Sequence, residues 1–135
     1  MFGVMEFYHA MKSNKLKPIV GMGAFISNKE IINTSYRRFA QTQLICKNRI
    51  GYKNLTYIAA ESFNKGKQFG VPTVSHSSLE KYRKGLIAFS GGIEGEISQP
   101  ILHGRQKEAE NLVKWYKDLF DGNFFLELQS DDIIN

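Results

Sequence analysis

Apolar residues recur along this chain with two different periods, and the switches between them mark out its elements. Val4, Phe7, Tyr8 and Met11 fall at i, i+3, i+4 and i+7, the spacing of one buried helical face, and predict a helix over 2–12. Asn14 and Pro18 end it. Pro18-Ile19-Val20-Gly21 reads as a short buried strand that continues through Ala24-Phe25-Ile26. Residues 27–38 are polar and read as a loop. Phe39 to Cys46 alternates apolar with polar and predicts a strand.

Asn48 is a helix-capping residue type, and Leu55, Ile58, Ala59 and Phe63 form the inward face of the helix it introduces, with Gly66 as its stop. Residues 67–76 read as a loop around Gly70 and Pro72. Ser77 and Glu80 have the Ser-x-x-Glu spacing of a capping box, which predicts a short helix ending at Gly85. Leu86-Ile87-Ala88-Phe89 is an unbroken apolar run, as in a strand covered on both faces. A short helix is predicted over 96–102. A longer one is predicted over 106–120, with Ala109, Leu112, Val113, Tyr116, Leu119 and Phe120 on one face and Gly122 as its end. Phe124 to Leu128 reads as the last strand. Apolar strands alternating with amphipathic helices predict an α/β fold with a mostly parallel sheet. The pattern opens inside a helix and stops shortly after a strand, so both ends are expected to be cut.

Composition narrows the function classes. The 135 residues are 42% hydrophobic and 23% charged, which is ordinary for a globular chain of one-domain length. The formal charge of +5 is unevenly placed. Nine Lys/Arg face only Glu6 and Glu30 in residues 1–60, a balance of +7, and nine face eleven acids in residues 61–135, a balance of −2. The basic residues are scattered, so a solvated surface is the first reading and a nucleic-acid surface the second. No apolar run approaches the roughly 20 residues of a membrane span, and the first residues lack the order of a signal peptide. The expected location is the cytoplasm, with no membrane partner. Cys46 is the only cysteine, which excludes an intrachain disulfide and zinc sites built on several cysteines. Its place after Leu44-Ile45 is that of a small buried hydrophobe.

Candidate chemistry is sparse. His9, His76 and His103 are far apart in sequence and form no metal-binding pair. Gly21-Met22-Gly23 and Gly91-Gly92-Ile93-Glu94-Gly95 lack a phosphate-loop pattern, and Glu94 and Glu96 add negative charge to the second. These glycines read as tight turns. Glu127 alternates with Leu126 and Leu128, so it points into a barrel interior if the leucines face outer helices.

Eight phrases, taken in order, resemble one family. They are Met1-Phe2-Gly3-Val4-Met5-Glu6-Phe7-Tyr8, Lys17-Pro18-Ile19-Val20-Gly21, Lys47-Asn48-Arg49-Ile50-Gly51-Tyr52-Lys53-Asn54-Leu55, Leu79-Glu80-Lys81-Tyr82, Gly85-Leu86-Ile87-Ala88-Phe89-Ser90-Gly91-Gly92, Gly95-Glu96-Ile97, Trp115-Tyr116-Lys117 and Phe125-Leu126-Glu127-Leu128-Gln129. Their order and gaps resemble the polymerase-and-histidinol-phosphatase (PHP) domain of bacterial DNA polymerase III alpha subunits, with 27–38 the weakest stretch. The resemblance implies a partial distorted (β/α)7 barrel over 1–135, a single domain lacking the family's first and last barrel elements. It also implies a parent DNA-directed DNA polymerase active in replication.

Family members with an intact site hold a metal cluster for phosphoesterase or proofreading chemistry. The resemblance places the His-x-His and Thr-Asp-His ligands before Met1 and the last Asp and His beyond Asn135. The three ligands that fall inside the chain match Gly23, Gln41 and Gly92, where the family has glutamate, histidine and cysteine. Glycine offers no side chain, and glutamine is a poor ligand for catalytic zinc or manganese. The expectation is therefore a segment with no metal, cofactor or catalytic residue of its own. It would serve as a structural platform that contacts the proofreading exonuclease subunit and other replisome components, with DNA contact indirect or weak. The alternatives are a stand-alone docking module for that exonuclease and a small metal-dependent phosphoesterase using Glu127, Asp131 and His76.

Overall fold

The computed structural model describes residues 3–27 and 39–129. Among them, in chain order, are α1 (Val4–Ser13), β1 (Gly21–Phe25), β2 (Gln41–Cys46), α2 (Arg49–Asn64), β3 (Lys67–Gln68), β4 (Val71–Pro72), α3 (His76–Tyr82), β5 (Leu86–Phe89), a 3-10 turn at Gly92–Glu94, α4 (Ser98–Leu102), α5 (Gln106–Phe120) and β6 (Phe124–Phe125). The main sheet has the order β1-β2-β5-β6, and β3 and β4 form a separate hairpin. The polar stretch expected to loop lies, apart from Ser27, outside the described residues.

The sheet is mixed, which corrects the expectation of a mostly parallel one. β1 with β2 and β2 with β5 are antiparallel, and only β5 with β6 is parallel. Two helices, α2 and α3, separate β2 from β5. The chain leaves the sheet at Cys46 and re-enters beside it at Leu86, so β5 must run the other way. A single crossover helix would have produced a parallel pair. Among the described residues the sheet is open, with no closed barrel.

One face of the sheet carries the core. Ala24, Leu44, Leu86 and Ala88 project from it onto Leu55 and Ile58 of α2, Leu79 of α3, and Tyr116 and Phe120 of α5. Thr42 is also buried on this face and donates its hydroxyl to the Phe89 carbonyl at 2.6 Å, which satisfies the group. The opposite face is crossed by the row Gly23–Gln43–Phe89–Phe125, set by the ladder register. It is exposed at Gly21, Gly23, Phe25, Gln43 and Phe125, while on β5 Ile87 and Phe89 are half-buried, so that strand is only partly covered on this face.

Asn48 caps α2 as its sequence predicts, its side-chain oxygen accepting from the Gly51 N–H at 3.0 Å. Gly51 and Gly85 pack backbone to backbone, and a Cβ on Gly51 would collide with the Gly85 carbonyl. Gly85 itself has φ 77°, a left-handed value that suits glycine.

Several local expectations are corrected. The helix at the start of the chain is present, but none of its residues is buried, and Phe7 and Tyr8 are exposed. The strand begins at Gly21 rather than at Pro18, although the Val20 carbonyl already accepts from the Cys46 N–H at 2.8 Å. Phe63 is 54% exposed, and Ser62 takes the buried position in its place. The loop at 67–76 contains a two-residue hairpin whose turn, Phe69 and Gly70, has positive φ at both residues. The cap of α3 is Ser75, which accepts from the Ser78 N–H, so the Ser77–Glu80 capping box does not form. The expected helix over 96–102 starts two residues later, and the last strand ends at Phe125 with Leu126 and Leu128 exposed.

Replacing Leu55, fully buried, with Ala is expected to cost about 2–5 kcal/mol of unfolding free energy in urea. Phe63→Ala is expected to change it by less than about 0.5 kcal/mol. Equal losses would restore Phe63 to the core.

Candidate functional site

Of the three positions that the resemblance assigns to metal ligands, Gln41 and Gly92 lie at the same end of the sheet, and Gly23 lies in the middle of β1. Gly23 lies opposite Gln43 in the β1–β2 ladder, and Gln41 opens β2 beside Phe25. Gly92 follows the end of β5, in a turn joined to β2 by the Gln41–Gly95 bridge. Gln41 and the Gly92 turn are thus neighbours, and each of the three positions has its own surroundings. A Cβ on Gly23 would stand 3.6 Å from the Gln43 side-chain oxygen. The Gln41 amide donates to Glu94 at 3.3 Å. Gly92 has φ 61°, and a Cβ there would stand 2.7 Å from the Gln129 amide carbon.

Gln129 is the member of this group that the sequence pattern did not single out. Its amide donates to the Glu127 carboxylate at 2.7 Å. The backbone N–H of Glu127 in turn donates to the Ser90 hydroxyl at 2.9 Å. The period-two series Phe125, Glu127, Gln129 was the available signal, because alternate residues of an extended segment share a face. The result is a network of amides and carboxylates: Gln41 with Glu94, and Gln129 with Glu127. Carboxamides and carboxylates at this spacing satisfy one another. Among the described residues no group of three or more His, Cys, Asp or Glu side chains comes together in a metal-holding arrangement. At the three positions that the resemblance assigns to metal ligands, Gly23 and Gly92 carry no side chain and the Gln41 amide is engaged by Glu94, so these three residues offer no imidazole, thiolate or carboxylate to a metal ion.

The other candidates lie in different surroundings. His76 donates from Nε2 to both oxygens of Glu96, at 2.8 and 2.9 Å. Glu96 also accepts from the Tyr116 hydroxyl at 2.7 Å. The His76 ring stacks on Trp115 with centroids 4.2 Å apart, and Trp115 donates to Glu80 at 3.3 Å. The hydrogen bond to Glu96 raises the His76 pKa above its ordinary value, against the opposing effect of burial. Burial, followed by the adjacent Glu96 charge, raises that of Tyr116. This set ties α3 to α5 and to the segment before α4, and none of it reaches Glu127. Asp131, the third expected partner, lies outside the described residues.

His9 is exposed on α1 against Tyr8, and His103 donates from Nδ1 to the Gln99 carbonyl at the end of α4. Cys46 is half-buried at the end of β2, and burial raises its thiol pKa, which disfavours the thiolate that nucleophilic chemistry needs.

The PHP domain family matches residues 1–131. Similar curated proteins are DNA polymerase III alpha subunits. That of Campylobacter jejuni is 33% identical over 98% of this chain, that of Borreliella burgdorferi 34% over all of it, and that of Vibrio cholerae 30% over 93%. The chain spans only 12%, 12% and 10% of those relatives, respectively.

The raised His76 pKa has a defined consequence for stability. The stabilisation is fully present below the unfolded value of about 6.5 and is lost as pH rises through the folded-state midpoint. NMR titration is expected to give a His76 midpoint above about 6.5, and Glu96→Gln is expected to lower it. An unchanged midpoint in that variant would remove Glu96 as the cause.

Proposed function

Since this chain belongs to the PHP domain family, we propose that it forms part of the PHP domain of a DNA polymerase III alpha subunit and acts there as a structural platform whose metal end is degenerate. Residues 1–135 are read as one partial domain of a parent polymerase that works in DNA replication. The observation that carries the platform reading is the contact between Gly92 and Gln129. The Gln129 amide, held by Glu127, lies 2.7 Å from where a Cβ at position 92 would stand, and the φ of 61° there strains any side chain. Gly23 supplies no donor atom, and the Gln41 amide donates to Glu94. An oxygen-and-amide set of this kind lacks the imidazole and thiolate groups that bind zinc tightly.

A second reading is a stand-alone docking module for the proofreading exonuclease subunit. Its support is apolar surface: Met5, Phe7, Leu16 and Ile19 near the first helix, and Phe125, Leu126 and Leu128 at the far edge of the sheet, are all exposed. A small metal-dependent phosphoesterase built on Glu127 and His76 is supported least. Each of these residues is held by a different partner, Gln129 and Glu96 respectively. No helix among the described residues is long and apolar enough to cross a membrane.

Two outcomes are expected. The purified chain supplied with manganese, zinc or magnesium should not hydrolyse a generic phosphoester, and turnover abolished by a chelator would overturn the platform reading. In a pull-down with the proofreading exonuclease subunit, the docking reading expects retention that weakens when Leu126 and Leu128 are both replaced by Ser. Retention unaffected by that double change would place docking elsewhere.

A further inference from the structure

The end of the sheet remote from Gly92 has the opposite electrostatic character. Lys47 follows β2, and Lys81, Arg83 and Lys84 lie at or just after the end of α3. Because Cys46 pairs with Leu86, both segments meet at the same sheet end. The four cations line a cleft of about 470 Å3, together with the capping residue Asn48 and a single carboxylate, Asp121.

Local pairing leaves most of this charge in place. Lys47 donates to the neutral Asn123 side chain at 2.7 Å, and Arg83 to the Glu80 backbone carbonyl at 2.5 Å. Lys81 is paired with Glu61 at 3.3 Å. Among the described residues Lys84 makes no ion pair. The positive end of α2, sixteen residues long, lies at Asn48 and adds to the same potential. Leu86, Leu119 and Phe120 supply an apolar wall that reduces screening.

An aromatic surface adjoins the cleft through Lys81. Tyr57 and Tyr82 stack at 5.4 Å, with the Lys53 ammonium 5.9 Å from the Tyr57 ring and the Lys81 ammonium 4.7 Å from the Tyr82 ring. Tyr57 is exposed. Cations beside one exposed aromatic ring, that of Tyr57, suit a phosphate with a base attached, whereas an acidic peptide would use the cations alone.

We propose that this cleft binds the phosphate of a nucleotide, either free or within a single strand, with the Tyr57–Tyr82 pair beside the base. The proposal is independent of the reading of the Gly92 end. It is tested with the full chain by anisotropy of a labelled oligothymidylate at about 50 and 200 mM salt, with inorganic phosphate and adenosine monophosphate as competitors. Lys84→Glu is expected to weaken binding about tenfold and to flatten the slope of log affinity against log salt by about 0.7. Lys107→Glu, the same charge change at the start of α5, is expected to weaken it less than twofold. Competition by the monophosphate at concentrations comparable to the oligonucleotide identifies the free nucleotide as the source, and competition only by oligonucleotide identifies the strand. If Lys84→Glu unfolds the chain, Lys84→Ala takes its place. Equal losses in the two charge variants, no binding in any arm at the lower salt, or stronger competition by polyglutamate than by the oligonucleotide would each overturn the proposal.

Discussion

The close approach of Gly51 to Gly85 sets the position of nearly everything else in this chain. The first turn of α2 and the residue before β5 lie backbone against backbone, with no room for a side chain on Gly51. Three hydrogen bonds hold the junction: Lys47 N–H to the Gly85 carbonyl at 2.9 Å, Gly51 N–H to Asn48 at 3.0 Å, and the Asn54 amide to the Lys84 carbonyl at 2.8 Å. A backbone donor paired inside the protein avoids the cost of burial without a partner. The junction brings Cys46 beside Leu86 and so fixes the antiparallel register of β2 and β5.

From that register follow the two chemically different ends of the sheet. One end collects Gln41, Glu94, Glu127 and Gln129 around the Gly92 turn, where side chains satisfy one another through amide–carboxylate bonds. The other collects Lys47, Arg83 and Lys84, whose charges are only partly met by local partners. Between them the Glu96 carboxylate binds His76 and Tyr116, and Glu61 accepts from Ser78, Lys81 and Tyr82. The Ser78 and Tyr82 hydrogen bonds lower the Glu61 pKa, so this carboxylate remains ionised where it joins α2 to α3. Each carboxylate links helices that are separate in sequence, and these links complement the apolar contacts of Leu55, Ile58 and Leu79.

Much of this was legible in the residues before any coordinates. The span of α5 and the cap at Asn48 match their expected places, because helical periodicity and capping are local properties. The capping box at Ser77 failed for a local reason of another kind. Ser75 has the same side chain two residues earlier, and the helix starts there. Phe63 failed because a helical stripe wider than the available contact leaves its edge in solvent, while Ser62 is buried beside Gly66 with its hydroxyl donating to the Ala59 carbonyl. Family membership was readable from eight spaced phrases, and the match over residues 1–131 agrees with it. That Gln41 lies beside the Gly92 turn could not be read from either local pattern.

The sequence by itself determined the helices, the longer strands and most of the inward residues of α2 and α5, because these depend on neighbours within a few residues. The tertiary structure alone decided that β2 and β5 run antiparallel, that Gln129 fills the space over Gly92, and that Lys47 and Lys84 share a cleft. Strand direction and side-chain meeting points depend on where the chain re-enters the sheet. Here that is set by a contact between glycines 34 positions apart in sequence, at 51 and 85, whose only sequence mark is the absence of a side chain.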